Sequence, residues 1–330
     1  MNKILIIGSN SFAGSNFIDY LLKKKIKVYA VSRKNEINKE YLIYKKNKHI
    51  DYFKFYKINL NVKKDLNKLI RIIKNKKIKY IVNFAAQGMV AESWVNPEHW
   101  YQTNVVSNSM LIKELNKIKI IKYLNFTTPE VYGHTHKLLK ETNNFSPTTP
   151  YAISRSAQDL NLIAYNKTLN FPVVFTRTSN IYGPYQKSYR IIPKIIISIL
   201  TNKKIPIHGK GDTLRSFIYM EDVSSALYKV LIDKKNNGET FHISTKNFIS
   251  ILELVKIIKK IMKCKKKIHY HIKERDGKDL KYTLNSNKIR KLYSWRDETN
   301  LESGILKTID WAKKNINFFK KTSLKYIHKK

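Results

Sequence analysis

The chain has 330 residues, with 64 Lys or Arg against 24 Asp or Glu and a formal net charge of +40. A hydrophobic share of 42% over this length supports a sizeable core and excludes a chain disordered throughout. The single cysteine, Cys264, can form neither an internal disulfide nor a Cys-rich zinc site, and no metal is expected.

Residues 191–200 form one of the longest apolar stretches. They are interrupted by Pro193 and Lys194 and fall short of the ~20 residues of a membrane span. The opening apolar run ends in a glycine turn rather than a cleavage site. A soluble, cytoplasmic protein with no membrane partner is the expectation. The lysines are spread along the whole chain beside abundant Asn and Ile, which reads as compositional bias rather than a nucleic-acid surface. The clusters at 256–267 and 320–330 are then solvated faces, and no nucleic-acid partner is expected. A positive field would still steer an anionic substrate.

In chain order, residues 3–7 read as a buried strand, 12–24 as an amphipathic helix and 27–31 as a second strand. Strands at 51–58, 80–84 and 123–126 alternate with helices around 66–74 and 100–115. A helix over 151–170 and a strand over 173–178 follow. Such alternation implies parallel βαβ units. The rhythm breaks after Asn180, where Pro184, Pro193, Pro206 and a Gly209-Lys210-Gly211 turn accumulate. The expected fold is α/β, a Rossmann-type doubly wound parallel sheet over residues 1–179. A smaller C-terminal α/β substrate domain is expected over 180–330.

Gly8-Ser9-Asn10-Ser11-Phe12-Ala13-Gly14 joins the first strand to the first helix. A tight glycine turn at a helix N-terminus lets backbone N–H groups approach a pyrophosphate, so Gly8, Ser11, Phe12, Ala13 and Gly14 are expected to hold a dinucleotide. Ser11 stands where the usual pattern has its middle glycine. The second strand ends in Ser32-Arg33 with no carboxylate for a ribose 2′-OH. A hydroxyl beside a guanidinium suits a 2′-phosphate, which favours NADP over NAD. Ala85-Ala86-Gln87, Thr128-Pro129-Glu130 and Tyr151 to Arg155 follow strands or open a helix, where open α/β sheets bind ligands. Tyr151 and Arg155, four apart, share a helix face. A fixed cation there favours phenolate and makes Tyr151 a candidate acid or base.

These motifs resemble the extended short-chain dehydrogenases/reductases, in the nucleotide-sugar dehydratase and epimerase branch, with the likeness strongest to dTDP-glucose 4,6-dehydratases. It is carried by the glycine turn, Phe84-Ala85-Ala86, Thr103-Asn104, Glu130-Val131-Tyr132-Gly133, Pro150-Tyr151 and Ser179-Asn180-Ile181-Tyr182-Gly183-Pro184. It continues through Ile192-Pro193, Ile205 to Gly211, Arg215 with Tyr219 to Val223, and Arg275 to Asp279.

The resemblance implies an internal redox cycle in which Tyr151 takes the C4 hydroxyl proton and Thr128 orients that oxygen. Glu130 then removes the C5 proton as the C6 hydroxyl leaves, and Arg155 holds the cofactor ribose. It adds Asn59, Leu60, Ala85, Ala86, Gln87 and Thr103 to the NAD or NADP site. It places a sugar nucleotide against Gln87, Asn180, Arg190, Ile192, His208, Arg215 and Arg275. It also implies a homodimer built on helices 100–115 and 151–169. Two positions depart from the dehydratase pattern: Pro129 replaces a proton-donating Asp, and Arg155 replaces a Lys. A C4 or C5 epimerase and a non-catalytic cofactor-binding regulator are the alternatives.

Overall fold

A computed structural model describes residues 2–135, 137–274 and 283–328. The first half runs β1 (Lys3–Ile7), α1 (Phe12–Lys23), β2 (Lys27–Ser32), β3 (Phe53–Lys57), α2 (Lys63–Lys76), β4 (Tyr80–Asn83), α3 (Pro97–Trp100), α4 (Ser107–Leu115), β5 (Lys122–Thr127), α5 (Pro150–Leu169) and β6 (Val173–Thr178). The second runs β7 (Asn180–Tyr182), α6 (Ile191–Leu200), β8 (Ile205–His208), β9 (Leu214–Arg215), β10 (Phe217–Tyr219), α7 (Met220–Ile232), β11 (Thr240–Ile243), β12 (Ile249–Ser250), α8 (Ile251–Ile261), β13 (His269–Ile272), α9 (Asn287–Tyr293), α10 (Leu301–Lys314) and α11 (Ile316–Lys320).

Seven strands pair in the order β11-β6-β5-β4-β1-β2-β3, and every pairing is parallel. Ile4 and Ile6 face one apolar cluster while Leu5 and Ile7 face another, the two-residue alternation of a strand covered on both sides. The chain winds outward from β1 to β3, then returns to place β4 on the other side of β1. That reversal opens a crevice at the carboxyl ends of β1 and β4, where doubly wound sheets hold ligands.

α1 buries Phe17, Ile18, Leu21 and Leu22, a spacing that keeps one stripe inward. Ser11 caps it, its hydroxyl accepting from the Gly14 amide at 3.0 Å. Thr149 caps α5 in the same way, and Pro150 sits at the first helical position, where no N–H partner is required.

The structure corrects two expectations. Residues 100–115 are not one α-helix, because a π-helical turn over Tyr101–Val106 separates α3 from α4. The boundary at 179/180 is also not a boundary in space. β11 pairs with β6, and α7 buries Val223, Leu227 and Val230 in the same cluster as Phe17 and Leu21 of α1. The chain therefore returns to the first layer because β6 and α1 still have apolar surface to cover. A separate apolar cluster, with Ile195, Ile196, Leu254, Ile258 and Ile305, builds the second lobe from α6, α8 and α10. No helix among the described residues is long and apolar enough to cross a membrane.

Candidate active site

The crevice at the switch point opens into a cleft of about 1080 Å³ between the two lobes. Gly8 begins its floor with φ +87°, and a Cβ there would lie 2.6 Å from the Ala85 amide nitrogen. Only glycine allows this approach of the β1 and β4 loops. Gly14 lies behind the cleft wall, where a Cβ would lie 2.5 Å from the Gly8 carbonyl oxygen. It acts through close packing, whereas Gly8, Ser11, Phe12 and Ala13 face the cavity. The Gly8 and Ser9 amides both donate to the Val31 carbonyl, which pins the turn to β2.

Ser32 and Arg33 line the same cavity, as do Asn59 and Leu60 beyond β3. The Ser32 hydroxyl is engaged locally, accepting from the Asn10 amide at 3.0 Å beside Ser9 Oγ. It serves the turn. Ala85, Ala86 and Gln87 continue the wall beyond β4.

Thr103 reaches the cavity from the π-helical turn. Its neighbour Asn104 is fully buried. Asn104 Oδ1 accepts from the Gln87 amide at 2.7 Å, and Nδ2 donates to the Gln87 carbonyl and to Ser154 Oγ. π-Turns concentrate at functional sites because the extra residue re-aims side chains. Sequence reasoning assigned no role to Asn104. The signal that could have found it is a polar side chain at a position whose helical neighbours are buried.

β5 delivers Thr128, which caps a short turn over Pro129–Tyr132 and accepts from the Glu130 amide at 3.5 Å. Tyr151 enters from the first turn of α5, its amide donating to Ser93 Oγ at 3.1 Å, a second contact the sequence did not reveal. The Tyr151 phenol hydrogen-bonds Thr128 and feels the charges of Glu130, Arg155 and Arg190. Burial pushes its pKa up and the Glu130 carboxylate pushes it further, outweighing Arg155, Thr128 and Arg190. The net direction is opposite to the expectation from Arg155 alone, because a desolvated phenolate beside a carboxylate is disfavoured.

Arg155 is 2% exposed, and one guanidinium NH2 group donates to the Phe126 carbonyl at 2.6 Å. Its Nε is buried with no hydrogen-bond partner among the described residues. An orphaned charged donor in the wall of a cleft fits a ligand hydroxyl such as a ribose. With the Gly8 cradle, this is the arrangement a dinucleotide requires.

On the opposite wall stand Asn180, Arg190, Ile192, His208 and Arg215, all lining the cavity. His208 Nδ1 lies 3.0 Å from the Lys273 carbonyl, and Arg215 NH1 donates to the Leu214 carbonyl. Arg275 lies outside the described residues. The fold thus brings the remaining predicted residues to one cleft, apart from Gly14 behind its wall. No group of three or more potential metal ligands occurs among the described residues.

Residues 5–308 match the family described as GDP-mannose 4,6 dehydratase. The chain belongs to that family. Its members here are extended short-chain dehydrogenases/reductases of the NAD-dependent epimerase/dehydratase type. The dTDP-D-glucose 4,6-dehydratase of Bos taurus is 34% identical over 257 residues, covering 76% of this chain and 72% of that protein. A trifunctional UDP-glucose 4,6-dehydratase of Arabidopsis thaliana is 31% identical over 80% of this chain, which spans 40% of that longer protein. The solved dTDP-glucose 4,6-dehydratase of Bacillus anthracis, in complex with NAD, superposes with a TM-score of 0.85. It is 30% identical, covering 97% of this chain and 99% of that one.

Proposed function

We propose that the chain is a nucleotide-sugar 4,6-dehydratase, a lyase that removes water from the sugar of a sugar nucleotide. The observation that carries this reading is the convergence of Tyr151, Thr128 and Glu130 at the carboxyl end of β5. A pure C4 epimerase needs the first two and has no use for the carboxylate.

Bound nicotinamide dinucleotide supplies the reversible hydride acceptor. Gly8 and the first turn of α1 hold its pyrophosphate, and Arg155 holds its nicotinamide ribose. Tyr151 takes the proton of the sugar C4 hydroxyl, with Thr128 fixing the phenol oxygen. Glu130 takes the C5 proton once C4 is a ketone. Pro129 has no proton to give, so Glu130 passes the same proton to the departing C6 hydroxyl. One carboxylate then performs the elimination with no net proton gained or lost. The hydride given up at C4 returns at C6, and a proton equal to the one Tyr151 took returns at C5, so the sugar loses water alone.

Asn180, Arg190, Ile192, His208, Arg215 and Arg275 form the sugar-nucleotide side of the proposal. The absence of a β2 carboxylate together with Arg33 supports NADP over NAD. Ile153, Leu160 and Leu169 on α5, with Val106 nearby in sequence to α4, are exposed apolar side chains that support a homodimer through these helices. The lone cysteine fits a cytoplasmic location. Pro129 is the observation that keeps an epimerase as the second reading.

The test is incubation of purified protein with dTDP-, UDP-, GDP- and CDP-sugars, read by mass. Loss of one water from one of them is the expected result. An isomer of unchanged mass would establish the epimerase instead.

A further inference from the structure

The segment after α11 crosses from one lobe to the other over the mouth of the cleft. Phe319 anchors its start, buried against Trp311 and Tyr41. Ser188, in the loop before α6, donates its hydroxyl to the Ser323 carbonyl at 2.9 Å. The Tyr326 ring meets Tyr189 edge-on at 5.2 Å.

The far end rests on the first lobe. The His328 ring lies parallel to Trp100 and to His99, each with centroids 5.1 Å apart. Its Nε2 is 2.9 Å from His99 Nδ1, and its Nδ1 is 3.4 Å from Gln87 Nε2. One set of tautomers satisfies the whole chain. Gln87 donates to His328, His328 donates to His99, and His99 Nε2–H points to the Glu98 carboxylate at 3.5 Å. Gln87 is the wall residue that Asn104 grips from behind, so the contact ends on a fixed part of the site.

Thr322, Lys325, Tyr326 and Ile327 line the cavity beside Arg33 and Arg190. The cavity still measures about 1080 Å³ with this segment in place, above the range of about 300–1,000 Å³ of ordinary ligand pockets. The segment is therefore a wall rather than a plug. Lys325 adds a cation to a cavity wall that already carries Arg33 and Arg190, so the negative charge of a bound dinucleotide favours the closed position.

We propose that residues 322–328 form a strap that closes over the dinucleotide cleft and slows release of the cofactor, with His328 as its latch on Trp100, His99 and Gln87. The proposal rests on the reading of this cleft as a dinucleotide site. The test loads the purified full chain with labelled NAD or NADP and measures its release into excess unlabelled dinucleotide. Two variants accompany it, His328→Ala and a chain ending at Lys321.

Release about tenfold faster in His328→Ala, and at least as fast in the shortened chain, is the expected result; tenfold corresponds to about 1.4 kcal/mol. His328→Ala should keep the parent's unfolding midpoint, since His328 lies outside the apolar clusters. Parent-like release in both variants overturns the strap. Slower release also overturns it, because the segment would then compete with the cofactor. A parent that binds neither dinucleotide overturns the cleft reading itself, and the strap with it.

Discussion

Arg177 and Asp159 form an ion pair at 2.9 Å with both side chains fully buried, next to the turn over Pro129–Tyr132. Arg177 also donates to Tyr132 Oη at 2.9 Å and lies over the Tyr132 and Phe145 rings at 5.0 and 4.9 Å. Asp159 accepts further bonds from Asn125 Nδ2 and Thr127 Oγ1, each at 2.9 Å. Replacing Arg177 by Met leaves a buried carboxylate with two neutral donors and no countercharge. Breaking a buried pair from one side costs about 3–5 kcal/mol. With an unfolding entropy of roughly 2.1 cal/mol/K per residue, a chain of this length loses about 4–7 °C in Tm.

Asp159→Leu should cost a similar amount, because it strands the guanidinium. The double variant should be less destabilised than either single one, since neither charge is then left behind. Urea and thermal unfolding of the parent, both singles and the double close the cycle. A single-variant cost under about 1 kcal/mol, or simple additivity of the two, would refute the account of a desolvated pair. The singles should also lose activity beyond their loss of folded protein, because Thr127 and Tyr132 flank Thr128 and Glu130.

In the proposed reaction Tyr151 is a base only when deprotonated, so reduction of the cofactor by substrate should rise with pH through its pKa. The Glu130 charge raises that pKa, so Glu130→Gln should move the rising limb to lower pH while cutting water loss by about 100- to 10,000-fold. Absorbance of reduced nicotinamide reads the first and mass the second; an unmoved limb would deny the electrostatic link. Arg33→Ala should weaken NADP selectively by about 1.5–3 kcal/mol, the worth of a hydrogen bond to a charged group. Titration calorimetry with both cofactors checks this, and equal losses for NAD and NADP would remove Arg33 from cofactor selection.

Much of the fold was legible because it is written in local patterns. A run of buried aliphatics ending in Gly8, followed by a stripe at Phe17, Ile18, Leu21 and Leu22, specifies strand, turn and helix without reference to the rest of the chain. The same is true of Thr128, Glu130, Tyr151 and Arg155, whose motifs stand at strand ends and a helix start. Other features depend on residues far apart in sequence. β11 joins the first sheet only because β6 offers it an edge and α1 offers α7 an apolar face. The rise in the Tyr151 pKa comes from burial and from Glu130, twenty-one positions away, which a four-residue spacing to Arg155 does not reveal.

Asn104 acquires its role from a π-turn set by contacts with Gln87 and Ser154, not by helical period. Residues 322–328 fall within the cluster 320–330, which reads from sequence as a solvated face. Their meeting with Gln87, Trp100 and Tyr189 exists only because two lobes close on each other. The chain's sequence by itself determined most elements of the first half, the glycine turn and the motifs at the strand ends. The tertiary structure decided which distant surfaces they share, because burial and charge act through space.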